Sequence, residues 1–202
     1  LLQFAYEHSE SIIQALNVPN IWQLDKHLSL TNNTINQLNL IANPAINCKT
    51  KFNSLFSVIN NTSTTIGKRY LRDRLLNPIV DKKILENRYQ IIEDLMTTVE
   101  FDEDKNNSKL YHLIEEKLNK VIDLERAHRR MSLEIFQPTD IFGIKNSYEN
   151  IISIVKLIDM TNLPSLNQIK LSEQDTCELN QLYQDIVNDF NLDECIKYHQ
   201  DK

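Results

Sequence analysis

The segment NSLFSVINNTSTTIGKRYLRDRLLNPIVD, residues 53–81, is punctuated like a run of short helices. Ser54 stands immediately before Leu55, Phe56, Val58 and Ile59, where a hydroxyl can accept from the free N–H groups of a first turn. Thr64 stands in the same relation to a second helix, on which Ile66, Tyr70, Leu71 and Leu75 share a face. Asn77-Pro78 stops that helix, because proline has no N–H to give and disfavours the α conformation in the residue before it. Asp81 then caps a third helix, with Ile84, Arg88, Ile91, Ile92 and Leu95 at helical spacing.

Outward from this segment the same grammar continues. Upstream, Leu2, Ala5, Ser9, Ile12, Ile13 and Leu16 form a helical face ending before Pro19. A short extended stretch is expected around Ile21 and Trp22, a helix or turn over Thr31 to Leu40, and a loop at Ala42-Asn43-Pro44. Downstream, the polar run Glu100 to Ser108 is a loop, followed by a helix around Tyr111, Ile114 and Leu118. Another helix starts near Asp123, with Leu124, Ala127, His128 and Met131 on one side. Gln137-Pro138-Thr139 interrupts the chain before a long helix carrying Ile141, Ile144, Tyr148, Ile151, Ile152, Val155 and Ile158. Thr161 to Leu171 is a connector. Ser172-Glu173-Gln174-Asp175 has capping-box spacing, and Leu179, Leu182, Tyr183, Ile186, Val187 and Phe190 continue as an amphipathic helix. No fixed-period repeat is present. A solenoid is therefore possible only as an irregular one, and the fold class is all-α, mainly helical.

Composition agrees and excludes several functions. Two glycines, Gly67 and Gly143, in 202 residues are too few for a Rossmann fingerprint or a Walker loop, whose backbones must approach phosphates without a Cβ in the way. Gly67-Lys68 is followed by Arg69 and lacks the upstream glycine of a phosphate loop. Three widely spaced cysteines, Cys48, Cys177 and Cys195, suggest neither a disulfide framework nor a zinc site. His8, His27, His112, His128 and His199 are scattered, with no second ligand at metal spacing. No apolar run approaches the eighteen or so residues of a membrane helix, and no signal-peptide pattern is seen, so an intracellular location is expected. The formal charge of -6 argues against a protein that coats nucleic acid non-specifically.

Charge is unevenly distributed. Residues 172–202 carry eight acids against two lysines, whereas Lys117 to Arg130 carries five basic residues against two acidic ones. Two clusters stand out. Lys68, Arg69, Arg72 and Arg74 surround Asp73. Lys68 and Arg72, four apart, make a basic ridge that could meet a phosphate or an acidic partner face, or be ordinary solvated surface. In the second, Asp123-Leu124-Glu125-Arg126 with Arg129 and Arg130, Asp123 suits a helix start. Helical spacing there pairs Glu125 with Arg129 and Arg130 with Glu134, while Asp123 can also reach Arg126 or Arg130. Bracing of a helix junction is the favoured role.

Residues 53–81 resemble the central stretch of the MutS family of DNA mismatch repair proteins. Ser54, Leu55, Thr62, Thr64, Gly67, Arg69, Leu71, Leu75, Pro78, Asp81 and Arg88 fall in register with its pattern. Leu30 to Leu40 is similar to a further family segment, and Asp123, Leu124, Glu125, Arg126, Arg130, Pro138 and Asp140 to a third. The likeness is best over residues 1–155. Thr31 and Asn39 replace acids, Thr65 stands where proline is common, and Arg74 where tryptophan is usual.

The resemblance implies that the whole of 1–202 is the core, or lever, domain, an irregular helical bundle and an excised piece of a longer protein. Residues 172–202 would begin the lever helix towards a clamp domain absent from this sequence. It also implies a non-catalytic role here, with no cofactor bound in this segment. ATP and magnesium would be used by an ATPase domain elsewhere in the parent, and DNA would be bound through other domains. The expected neighbours are connector, clamp and ATPase domains, in a parent that works as a dimer. The coupling candidates are Gly67, Arg69, Arg72, Pro78, Asp81, Arg88, Asp123, Glu125, Arg126 and Arg130. The competing reading is a stand-alone helical adaptor that binds other proteins.

Overall fold

The computed structural model describes residues 3, 6, 7, 26–42, 52–99, 108–161, 163–192, 194 and 195. The helical face expected over Leu2 to Leu16, the extended stretch at Ile21 and Trp22, the loop at Asn43 and Pro44, and most of the loop after Val99 lie outside these residues.

The described chain is mainly helical, in the order α1 (Asn32–Gln37), α2 (Leu55–Ile59), α3 (Thr65–Leu76), α4 (Lys82–Leu95), α5 (Leu110–Leu118), α6 (Leu124–Ser132), α7 (Pro138–Met160) and α8 (Glu173–Asp189). A 3₁₀ helix over Pro164–Gln168 precedes α8. The only strands among the described residues are β1 (Thr98–Val99) and β2 (Ser108–Lys109), antiparallel and two residues each. They close the polar loop that the sequence predicts after Val99.

The predicted caps form. Thr64 Oγ1 accepts from Gly67 N at 3.0 Å, and Asp81 Oδ1 accepts from Lys83 N at 2.9 Å and Ile84 N at 3.3 Å. Ser54 Oγ accepts from Ser57 N at 3.2 Å while Ser57 Oγ accepts from Ser54 N at 3.0 Å, a reciprocal pair that satisfies two donors at once. At α8 only half of the expected box is made. Asp175 N donates to Ser172 Oγ, but the Asp175 carboxylate accepts from that same hydroxyl at 2.7 Å instead of from the cap's backbone. Pro138, expected as an interruption, is the first residue of α7, where its missing N–H costs nothing.

Long α7 is the spine. With 23 residues it extends about 35 Å. Its end shares one core cluster, Leu110, Ile158 and Leu166, with Ile91 and Leu95 of α4 and Ile114 of α5 packed alongside. Its middle shares a second, Ala127, Ile144 and Tyr148, covered by Leu179, Tyr183 and Ile186 of α8. The connector predicted over Thr161 to Leu171 thus hides Leu166, which is fully buried. Ser165 Oγ donates to Asp94 Oδ2, and Asn87 donates to Gln168 Oε1 at 3.2 Å, so the 3₁₀ helix is fastened to α4 by side chains as well.

Some residues predicted on apolar faces are exposed: Tyr70, Ile92, Leu182 and Phe190. Tyr70 instead supports Arg74, whose guanidinium lies 4.2 Å from the ring centroid and donates to the phenol oxygen at 2.6 Å. Among the described residues nine apolar side chains are buried, against twenty-two large ones exposed.

Candidate functional site

The start of α6 is held from two sides. Behind it, Ser147 of α7 is fully buried; its Oγ donates to Gly143 O at 2.7 Å and accepts from Ile122 N at 3.0 Å. A Cβ at position 143 would lie 3.0 Å from Ile122 Cδ1, so the Ile122 side chain packs directly over Gly143 and its tip would have to give way to a larger residue there. The next residue, Asp123, is thereby presented as the N-cap of α6, its Oδ1 accepting from Arg126 N at 3.3 Å.

In front, Arg69 of α3 reaches across. It donates from Nη1 to Asp123 Oδ2 at 2.7 Å, and from Nη2 to Asp123 Oδ1 at 2.9 Å and Glu125 Oε2 at 2.5 Å. This is a bidentate, charge-assisted clamp in which Asp123 is 18% exposed and Arg69 47%. Hydrogen bonding to Arg69 holds the Asp123 carboxyl below its usual range and raises the guanidinium in turn. The pairings expected from helical spacing, Glu125 with Arg129 and Arg130 with Glu134, are not made. Asp123 likewise pairs with Arg69 and not with the side chain of Arg126 or Arg130.

Arg130 instead donates to Asp140 Oδ1 of α7 at 2.9 Å, while Asp140 Oδ2 accepts from Gln137 N at 2.8 Å. The reason is the end of α6. Glu134 takes a left-handed conformation (φ 57°), with Glu134 N donating to Met131 O at 2.9 Å and Ile135 N to Arg130 O at 3.1 Å. This closing turn carries the chain away from the helical path on which Glu134 would face Arg130. A second α6 to α7 link joins Tyr148 Oη and His128 Nε2 at 2.9 Å, and burial raises the Tyr148 phenol above its ordinary value. Helix α6 is thus tied to α3 at its first turn and to α7 at its last.

Arg69, Asp123, Glu125, Arg126 and Arg130 therefore meet in one open cleft of about 950 Å³, together with Thr65, Arg129, Leu133 and Ile135. The other predicted residues lie outside it. Gly67 sits in the first turn of α3, Asp81 caps α4, and Pro78 O accepts from Leu28 N at 2.8 Å in a short bridge beside His27. Arg72 is exposed and Arg88 half-buried, and neither has a carboxylate partner among the described residues. The bracing role of Asp140 was not predicted; Gln137 is an unusual cap, and its spacing to Asp140 is the one local clue. Among the described residues no group of three or more His, Cys, Asp or Glu is arranged to hold a metal, and no helix is long and apolar enough to cross a membrane.

Two measurable consequences follow locally. A left-handed residue bearing a Cβ costs about 1 to 2 kcal/mol, which glycine avoids, so Glu134→Gly is expected to stabilise the chain by about 1 kcal/mol in chemical denaturation. An equal or lower stability would show the turn to be relaxed as it stands. Asn can keep the Asp123 cap but not its charge, so Asp123→Asn isolates the ionic part. Because the folded carboxyl titrates below its unfolded value, the charge contributes stability that is full above about pH 4 and lost as pH falls through the folded value. Denaturation at stepped pH should show wild type and Asp123→Asn separated at neutrality and converging in acid; a gap that persists in acid would rule out the ionic contribution.

The family model for MutS domain III matches residues 33–200. A DNA mismatch repair protein mutS homolog of Acanthamoeba polyphaga mimivirus is 36% identical over 162 residues, covering 77% of this chain and 14% of the relative. The DNA mismatch repair protein MutS of Clostridioides difficile is 27% identical over 194 residues, covering 96% of this chain and 19% of the relative. That of Treponema denticola is 26% identical over 195 residues, covering 96% and 20%. The chain spans about a fifth or less of the length of these curated relatives. With a helical bundle and a family match over most of its length, the chain belongs to the MutS domain III family.

Proposed function

We propose that this chain is the core, or lever, part of a longer ATP-dependent DNA mismatch recognition and repair protein, and that it transmits conformational change without catalysing a reaction. The observation that carries the reading is the double tie on α6. One short helix is clamped by Arg69 to α3 and by Arg130 to the 23-residue α7, so a displacement of α3 is passed to a long rigid element. Residues 172–202 then lead towards a clamp domain, and the parent brings ATP, magnesium and DNA contacts through its connector, clamp and ATPase domains, working as a dimer. The exposed apolar side chains support such packing against neighbouring domains.

The isolated 202-residue chain is therefore expected to bind neither ATP nor duplex DNA with any preference for a mismatch. Calorimetry with ATP and magnesium, and titration of homoduplex and mismatched duplex at near-physiological salt, check this. Saturable ATP binding or a mismatch-selective curve would overturn the assignment of both tasks to other parts of the parent.

A further inference from the structure

The cleft between α3 and α6 has a side that bracing leaves unused. Arg69 pairs with two carboxylates, Asp123 and Glu125, and Arg130 with one, Asp140. Arg126 and Arg129 line the same cleft, both exposed, and neither meets a carboxylate among the described residues. Four arginines (Arg69, Arg126, Arg129 and Arg130) here face three carboxylates (Asp123, Glu125 and Asp140), so in a chain of formal charge -6 the cleft keeps a surplus positive charge, presented by Arg126 and Arg129 one turn apart on α6. Beside them the lining is apolar: Leu133 is 57% and Ile135 60% exposed.

The turn that presents Ile135 has a counterpart in the same molecule. After α1, Asn39 adopts a left-handed conformation (φ 47°), Asn39 N donates to Asn36 O and Leu40 N to Ile35 O, both at 3.1 Å, and the residue that follows the turn, Leu40, is buried at 8% exposure. Asn tolerates that conformation and the usual apolar contact closes the motif. After α6 the same hydrogen bonds are made on Glu134, which tolerates it poorly, and Ile135, where Leu40 stood, is left in the open. An unfavourable turn therefore holds an aliphatic side chain out beside two arginines that make no direct ion pair among the described residues.

We propose that this cleft is a docking site for an acidic amphipathic helix of another protein. The partner sets carboxylates against Arg126 and Arg129 and, one turn along, an aliphatic side chain against Leu133 and Ile135. Guanidinium groups suit carboxylates because they offer paired donors. A phosphate backbone answers the arginines but leaves Leu133 and Ile135 wet, and a wholly apolar helix strands the charges.

The test uses the 202-residue chain and a labelled alanine-based peptide of about 18 residues, long enough to hold a helix. It carries a stripe of Glu and Leu at i, i+3 and i+4, and a control peptide has Lys for Glu. Fluorescence anisotropy should show saturable, salt-sensitive binding of the acidic peptide only. Arg126→Glu with Arg129→Glu should weaken it by about tenfold or more, Ile135→Ser by about fivefold, and Lys156→Glu, on the exposed side of α7, should leave it unchanged. Circular dichroism shows that each variant is folded. No binding, equal binding of the Lys peptide, or indifference to the arginine pair would overturn the site. So would displacement of the peptide by duplex DNA with the same arginine dependence, or self-association of the chain through these residues.

Discussion

Leu166→Ala is expected to lower the unfolding free energy by about 3 kcal/mol, within a range of roughly 2 to 5 for a leucine truncated in a closed core. Leu166 has no exposed surface and packs with Leu110 and Ile158 against side chains from α4, α5 and α7. The cavity has little freedom to collapse, because the 3₁₀ helix that carries the residue is pinned on both sides, by Ser165 to Asp94 and by Gln168 to Asn87. Leu171, a few residues on and 43% exposed, is the control: Leu171→Ala should fall within about 0.5 kcal/mol of wild type. Urea denaturation of the three proteins decides the matter. Equal midpoints for the two variants would mean that the segment 163–171 is the loose connector its sequence suggests.

That segment shows where sequence stops being informative. Ser54, Thr64, Asp81, Asp123 and Ser172 were legible as caps because each satisfies a backbone N–H two or three residues away, an interaction wholly contained in local spacing. The apolar face of α7 was legible for the same reason. Leu166 was not, since five residues of 3₁₀ helix are too short to show a period. The candidate site divides likewise. Its residues could be named from the clustering of charge around Asp123, and helix-surface rules offer each arginine a local acid. The true partners are 54 residues away for Arg69 and Asp123, and across a left-handed turn for Arg130 and Asp140. Local spacing carries no information about either.

The clamp on Asp123 also has a consequence in the longer protein, under the proposal that α6 relays motion. Arg69→Met removes the guanidinium while keeping an unbranched side chain on α3, and it leaves Asp123 free to go on capping α6. Helix α6 should therefore still form, but its first turn loses its tie to α3. Asp123→Ala removes cap and tie together, so it should cost about 1 kcal/mol for the cap. The larger loss that a fully buried charge pair would bring is not expected, because Arg69 is about half exposed. Stability thus separates the two variants, whereas communication should not. Both are expected to reduce the stimulation of ATP hydrolysis by mismatched DNA by about tenfold, a typical coupling between distant sites, while ATP binding stays as in wild type. Asp123→Asn, with cap kept and charge removed, should follow Arg69→Met. The measurements are nucleotide affinity and steady-state hydrolysis with and without mismatched duplex. Full stimulation in Arg69→Met would confine the clamp to local structure; a loss only in Asp123→Ala would assign the effect to the cap, since breaking the tie alone would then have changed nothing.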